Sequence, residues 1–114
     1  MVQIAVFKQR IAEGKGDLLR EWGSEVSERK DEALASMAAD GIYTQAAFIE
    51  HDDDARYLVS FIEAEDAETA KAAFEPSGRD IDAAFHQVLA DAVVSPEPTS
   101  EFESVYALAH PDRP

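Results

Sequence analysis

A chain of 114 residues and 12.5 kDa is the size of one domain, long enough for a single core and too short for two. Aspartate and glutamate number 24 against 10 lysines and arginines, a formal charge of −14, which repels polyphosphates and, with no basic stripe to offset it, sets nucleic-acid binding aside. Cysteine is absent, which excludes disulfides, thiolate metal sites and a cysteine nucleophile.

Residues 2–9 alternate Val2, Ile4 and Val6 with Gln3, Ala5, Phe7 and Gln9, the pattern of a half-buried strand. Residues 13–17 break that period, and Asp17 is placed to cap a helix. Leu18, Leu19, Trp22, Val26, Leu34 and Met37 recur at helical spacing, so one long amphipathic helix is predicted over residues 17–39, stopped by Asp40 and Gly41. Residues 42–64 read as a central hairpin rich in β-branched and aromatic side chains. A turn centred on Asp53 and Asp54 sets Asp52 against Ala55, Ala47 against Ser60 and Gln45 against Ile62. One face then carries Tyr43, Gln45, Ala47, Ile49, Leu58, Ser60 and Ile62; the other carries Thr44, Ala46, Phe48, Tyr57, Val59 and Phe61.

Asp66 is a predicted cap for a helical stretch that reaches Phe74, and residues 76–78 interrupt it. A further helix starts near Asp80, with Ile81, Phe85, Val88, Leu89 and Ala92 as its inward stripe. Residues 95–99 are a linker by composition. Phe102, Ser104, Tyr106 and Leu108 then alternate with Glu103, Val105 and Ala107 as a last strand. The expected domain spans residues 1–109, with residues 110–114 an irregular tail.

Strand, helix, strand, strand, helix, strand is the order of a ferredoxin-like α+β domain, in which a four-stranded antiparallel sheet ordered 4-1-3-2 carries both helices on one face. The bare face still presents apolar residues, a large sticky patch on a monomer. Pairing two such faces about a two-fold axis predicts a homodimer through the sheet. Residues 2–7, residues 14–22 and the hairpin resemble the dimeric α/β-barrel superfamily, which includes antibiotic-biosynthesis-type monooxygenases. More narrowly, residues 2–10, Ala47 to His51 and the closing residues 111–114 resemble a small haloarchaeal family of unknown function. The resemblance implies two sheets closed into a dimeric barrel, with a small organic molecule in its cavity as the expected ligand. The alternative it offers is a cofactor-independent monooxygenase acting on a small aromatic substrate.

If the less apolar face lines that barrel, Gln3, Phe7, Tyr43, Gln45 and Ser60 form an aromatic, hydrogen-bonding pocket. His86, one turn after Asp82, is the histidine a carboxylate could orient for proton transfer; the other reading is a helix-surface pair. His51 stands among Glu50 and Asp52 without a spaced ligand set, and His110 lies in a proline-rich tail. Haem-degrading members of the superfamily use an Asn on the first strand and a Trp on a sheet strand. Here the first strand has Phe7 and no Asn, and residues 57–63 hold no Trp. Trp22 falls on the helical stripe and reads as core. No phosphate loop, G-x-S-x-G or H-E-x-x-H is present, and neither cofactor nor metal is expected. No apolar run approaches the roughly 20 residues of a bilayer span, and residues 1–10 lack the features of an export signal, so a soluble, cytoplasmic protein without a membrane partner is expected.

Four lysines against 11 aspartates and 20 alanines is the balance of a halophilic protein, whose carboxylates stay hydrated and whose repulsion is screened in concentrated salt. An ordinary acidic protein is the other reading, and salt separates the two. The screening length falls from about 30 Å at 0.01 M to about 3 Å at 1 M. Raising KCl across this range is expected to raise the melting temperature, with most of the screening gain complete below about 0.5 M. A melting temperature that is flat or falls in KCl refutes the halophilic reading.

Overall fold

The computed structural model describes residues 2–73, 75, 77–95 and 102–112. Its elements are β1 (Gln3–Arg10), α1 (Gly16–Glu28), α2 (Lys30–Asp40), β2 (Ile42–His51), β3 (Arg56–Ala64), α3 (Ala67–Ala72) and α4 (Asp80–Ala92). The strands form an antiparallel sheet ordered β1-β3-β2.

The hairpin turn is four residues long, and the Asp52 N–H donates to the Ala55 carbonyl at 3.0 Å. From there the register runs Ile49 against Leu58, Ala47 against Ser60 and Gln45 against Ile62, as the turn chemistry predicts. The ladder slips between Ile42 and Thr44, where Tyr43 is the extra residue of a β-bulge. On the far side β3 pairs with β1, with Phe7 against Ser60 and Ala5 against Ile62.

Strand periodicity therefore puts Ala5, Phe7, Gln9, Gln45, Ala47, Ile49, Leu58, Ser60 and Ile62 on one face. The helices lie on that face, packed over two clusters. Ile11, Leu19, Leu58, Leu89, Ala92 and Val93 fill one, which joins α1 and α4 to the hairpin. Phe7, Ile42, Ile62, Ala64 and Ala70 fill the other, beneath α2 and α3. Asp66 caps α3 by accepting the Thr69 N–H at 2.7 Å. Gly41, at φ 75°, closes α2 in the left-handed conformation that lets its N–H reach back to Met37 and Ala38.

The sheet is not the predicted four-stranded one. Among the described residues it has three strands, so the ferredoxin-like 4-1-3-2 sheet and the two-sheet barrel built on it are corrected. After α4 the chain returns beside the end of β1, where Val93 bridges Ile11 and the Val94 N–H donates to Arg10 O at 2.8 Å. Residues 102–108, predicted as the last strand, are irregular and exposed. Alternation makes a segment competent to pair, but a strand exists only where another strand's N–H and C=O groups meet it. The linker expected at residues 95–99 lies, beyond Ser95, outside the described residues.

The single helix predicted over residues 17–39 is two. Arg29 leaves helical geometry with φ −102° and ψ 32°, yet its N–H still reaches Glu25 O and its carbonyl still accepts from Ala33, both at 2.9 Å. Its guanidinium holds Glu25 on one side and Glu32 on the other, which fastens the elbow. The break frees α1 to pack on α4 while α2 lies on β2. Asp17 sits inside the first turn of α1, tied to Arg20, and Lys15 holds the cap position. Among the described residues no helix is long and apolar enough to cross a membrane.

Leu89 is 2 % exposed at the centre of the α1–α4 cluster. Leu89→Ala is expected to cost about 2–5 kcal/mol, the usual penalty for a buried cavity of that size. Chemical denaturation in molar KCl checks it.

Candidate functional site

Where α1 and α2 part at Arg29, the space between them, α4 and the inner face of β2 stays open as a cavity of about 450 Å³. That is within the range of small-molecule sites. Its helix side is Leu19, Trp22, Gly23 and Val26 from α1, Ala33 and Met37 from α2, and Ile81 and Phe85 from α4. Trp22 and Phe85 stack with ring centroids 5.8 Å apart and planes 23° from parallel. The sheet side is Gln45, Ala47, Ile49, Leu58 and Ser60. Two small side chains, Ala47 and Ser60, face each other across the ladder and leave the room.

Besides Arg20, which is paired with Asp17, two kinds of polar group meet this apolar space. Neither Ser60 nor Gln45 has a side-chain hydrogen-bond partner among the described residues; Gln45 is exposed, and the Ser60 hydroxyl is open to the cavity. The second kind is a network at the α2–α4 rim. The Ser36 hydroxyl donates to the Asp82 carboxylate at 3.0 Å, and the Arg79 Nε donates to Ser36 Oγ at 2.9 Å and to Asp82 at 3.2 Å. The other arm of Arg79 pairs with Asp40, and Ser77 also donates to Asp82. The hydrogen bond that Arg79 donates to Asp40 pushes the Arg79 pKa up, so the guanidinium stays charged. One cation between two carboxylates leaves this rim one negative charge in excess.

Of the residues the sequence nominated, Gln45 and Ser60 lie on the cavity wall and four do not. Phe7 is consumed by the core beneath α3. Gln3 is exposed at the start of β1. The bulge turns Tyr43 outward, where it is 52 % exposed and donates to Glu65 at 2.9 Å; that bond raises the Tyr43 pKa and lowers that of Glu65. His86 lines a separate hollow with Ser77, Gly78, Ala83 and Gln87. Its Nδ1 meets the backbone carbonyl of Asp82 at 2.8 Å, because the Asp82 carboxylate is taken up by Ser36, Ser77 and Arg79. The Asp82 carboxylate therefore does not orient His86. The face that holds Gln45 and Ser60 is the one on which the helices lie, though Gln45 and Ala47 stay exposed, so the cavity lies within one chain, between helices and sheet, and is open at β2.

Ser36, Asp40, Arg79 and Asp82 were not singled out as a group by the sequence. Ala33, Ser36, Met37 and Asp40 recur at three- and four-residue spacing on the inward face of α2, and two polar residues on such a stripe are the signal that marks the rim. Trp22, read as core, lines the cavity. Among the described residues no group of three or more His, Asp or Glu is placed to hold a metal ion.

Residues 2–113 match a family of unknown function, DUF6176. The chain belongs to that family. No curated protein and no solved structure matches it. Family membership covers nearly the whole chain, cavity walls and C-terminal segment included, and specifies no reaction.

Ser36 is 5 % exposed and bridges α2 to α4 through partners more than 40 residues away. Ser36→Ala is expected to cost about 1–3 kcal/mol, since Asp82 and Arg79 each lose a buried partner. Ser36→Thr, which keeps the hydroxyl, should recover part of it; urea unfolding of the two variants makes the comparison.

Proposed function

We propose that the protein binds a small, largely apolar organic molecule in the cavity between α1, α2, α4 and β2. The observation that carries this reading is the apolar space of about 450 Å³ itself, with the Trp22–Phe85 stack on one wall and the hydroxyl of Ser60 open to it on the other. Sites for small organic molecules combine apolar walls with a few polar groups that fix orientation, and Ser60 and Gln45 are polar groups of that kind. A ligand with a hydrogen-bonding group on one edge meets Ser60 and Gln45 and lays its apolar body against Trp22 and Phe85. Binding is favoured over an oxygenase-like reaction because the polar groups facing the sheet wall do not titrate near neutral pH, the rim carboxylates are engaged by Arg79, and His86 lies elsewhere.

A second surface supports self-association. All the helices lie on one face, which leaves Val6, Phe48, Val59 and Phe61 on a face no described helix covers, with Phe48 59 % exposed. Beside them Lys8 reaches over the Tyr57 ring, 4.2 Å from its centroid, to Glu50 at 2.9 Å. Pairing this face with a second copy hides the apolar row. Light scattering in molar KCl is expected to give twice the chain mass, and a monomer at micromolar concentration refutes the pairing.

The lone tryptophan makes the cavity measurable. Energy transfer from Trp22 to uncharged N-phenyl-1-naphthylamine is expected to saturate, and Ala47→Phe, which fills the cavity from the sheet side, should weaken that probe at least tenfold. Equal affinity in the wild type and Ala47→Phe overturns the reading.

A further inference from the structure

The stretch from Phe102 to Leu108 is unlike the rest of the surface. Phe102 is 46 % exposed, Tyr106 78 %, and Val105 and Leu108 each 88 %. Among the described residues no hydrogen bond, ion pair or ring contact ties residues 102–109 to the body of the chain. Four large apolar side chains held in water along an irregular segment mark an interaction site.

A surface of matching character exists on the same molecule. β2 is the outermost strand on its side of the sheet, and no described strand pairs with its outer edge. An edge ten residues long normally carries lysine, proline or inward charge to prevent pairing. Here residues 42–49 carry no charge at all, and neither do residues 104–109, in a chain with 34 charged residues among 114. Neither stretch therefore adds like charge where two copies of a chain of charge −14 would meet. Their lengths also agree: nine residues from Phe102 to His110 span about 30 Å when extended, close to the ten of β2.

The cavity bears on the same edge. Its lining takes in Gln45 and Ala47, which point to the helices, and also Ala46 and Phe48, which point the other way. Gln45 and Ala47 are exposed although they lie on the helix side of the sheet, so the mouth of the space opens along β2.

We propose that the C-terminal segment, residues 102–110, adds as a strand to the β2 edge of a second copy of this chain, and that the exchange covers the mouth of the cavity. The chain leaves α4 beside β1, at Ile11 and Val93, and β1 is the opposite margin of the sheet. A reciprocal exchange seats two segments and eight large apolar side chains. At roughly 100–200 Å² each that is on the order of 1,000 Å² or more, the size of a specific interface. The edge pairing stands independently of what the cavity holds; only the covering of the mouth rests on the ligand reading.

The absence of native cysteine makes the test direct. One copy keeps its C-terminal segment and carries Ala107→Cys. The other ends at Glu101 and carries Tyr43→Cys or His51→Cys, at the two ends of β2, or Glu68→Cys on α3 as a control. The two are mixed in molar KCl and treated with a bis-maleimide. A mixed cross-link at one or both β2 positions, at least fivefold above the Glu68→Cys control, is expected, and Val105→Glu with Leu108→Glu in the intact copy should remove it. Cross-linking no better than the control overturns the proposal. So does a full-length chain carrying both Ala107→Cys and Tyr43→Cys that links only within itself. Should the shortened copy not fold, the full-length Val105→Glu, Leu108→Glu variant carries the same comparison. Acrylamide quenching of Trp22 is expected to rise when the segment is removed; no change overturns the covering of the mouth. A β2 cross-link without any binding of N-phenyl-1-naphthylamine leaves the exchange standing and removes the ligand reading alone.

Discussion

The elbow at Arg29 governs the space on which the candidate site depends. Helices pack on sheets at a fairly fixed distance, so a straight helix over residues 16–40 would close on the sheet along its length and leave no room. The chain instead bends at one residue, without proline or glycine, and the guanidinium that leaves the helix is gripped by Glu25 behind it and Glu32 ahead. α1 follows α4, α2 follows β2, and the wedge between them is the cavity. The rim network of Ser36, Asp82, Arg79 and Asp40 fastens the far side of that wedge, joining α2 to α4 across 39 to 46 residues of sequence. Two arginine-centred clusters thus hold the helices apart at a fixed opening.

Charge shapes the same picture from outside. The ion pairs of Arg20, Arg29, Arg79 and Lys8 each engage carboxylates, but 24 acids greatly exceed the basic groups available. Exposed pairs of this kind contribute little individually and less in salt. What they do is local: they fix a bend, a rim and the end of a hairpin. The excess acid sits on the outward faces of α1 and α2 and in the turn at Asp52 to Asp54, leaving β2 nearly free of it.

Much of this was legible in the sequence, and what was not has physical causes. Hairpin register was set by the turn, because Asp52 and Ala55 close it at a fixed length and period-two alternation carries the rest. That parity put Gln45 and Ser60 on a common face. Which face the helices would cover was illegible, since both carry apolar side chains and the choice is made by packing. The break at Arg29 left no mark in the stripe of Leu19, Trp22, Val26, Ala33 and Met37, whose spacing continues through it. Residues 102–108 have a strand's alternation, which is a local property; pairing is a relation between distant residues and leaves no local trace.

The bulge at Tyr43 acts as a phase shifter for β2. Ile42 and Thr44 pair with the adjacent residues Ala64 and Glu63, so Tyr43 occupies no rung of its own. Removing Tyr43 would therefore leave Ile42 in the core and Gln45 on the cavity wall, at the cost of the contact with Glu65. Removing any one residue between Thr44 and Ile49 would have the opposite effect and carry every residue on its N-terminal side to the wrong face. Length variation in this strand is tolerable at one position only, and that position is the join between the last turn of α2 and the edge along which the cavity opens.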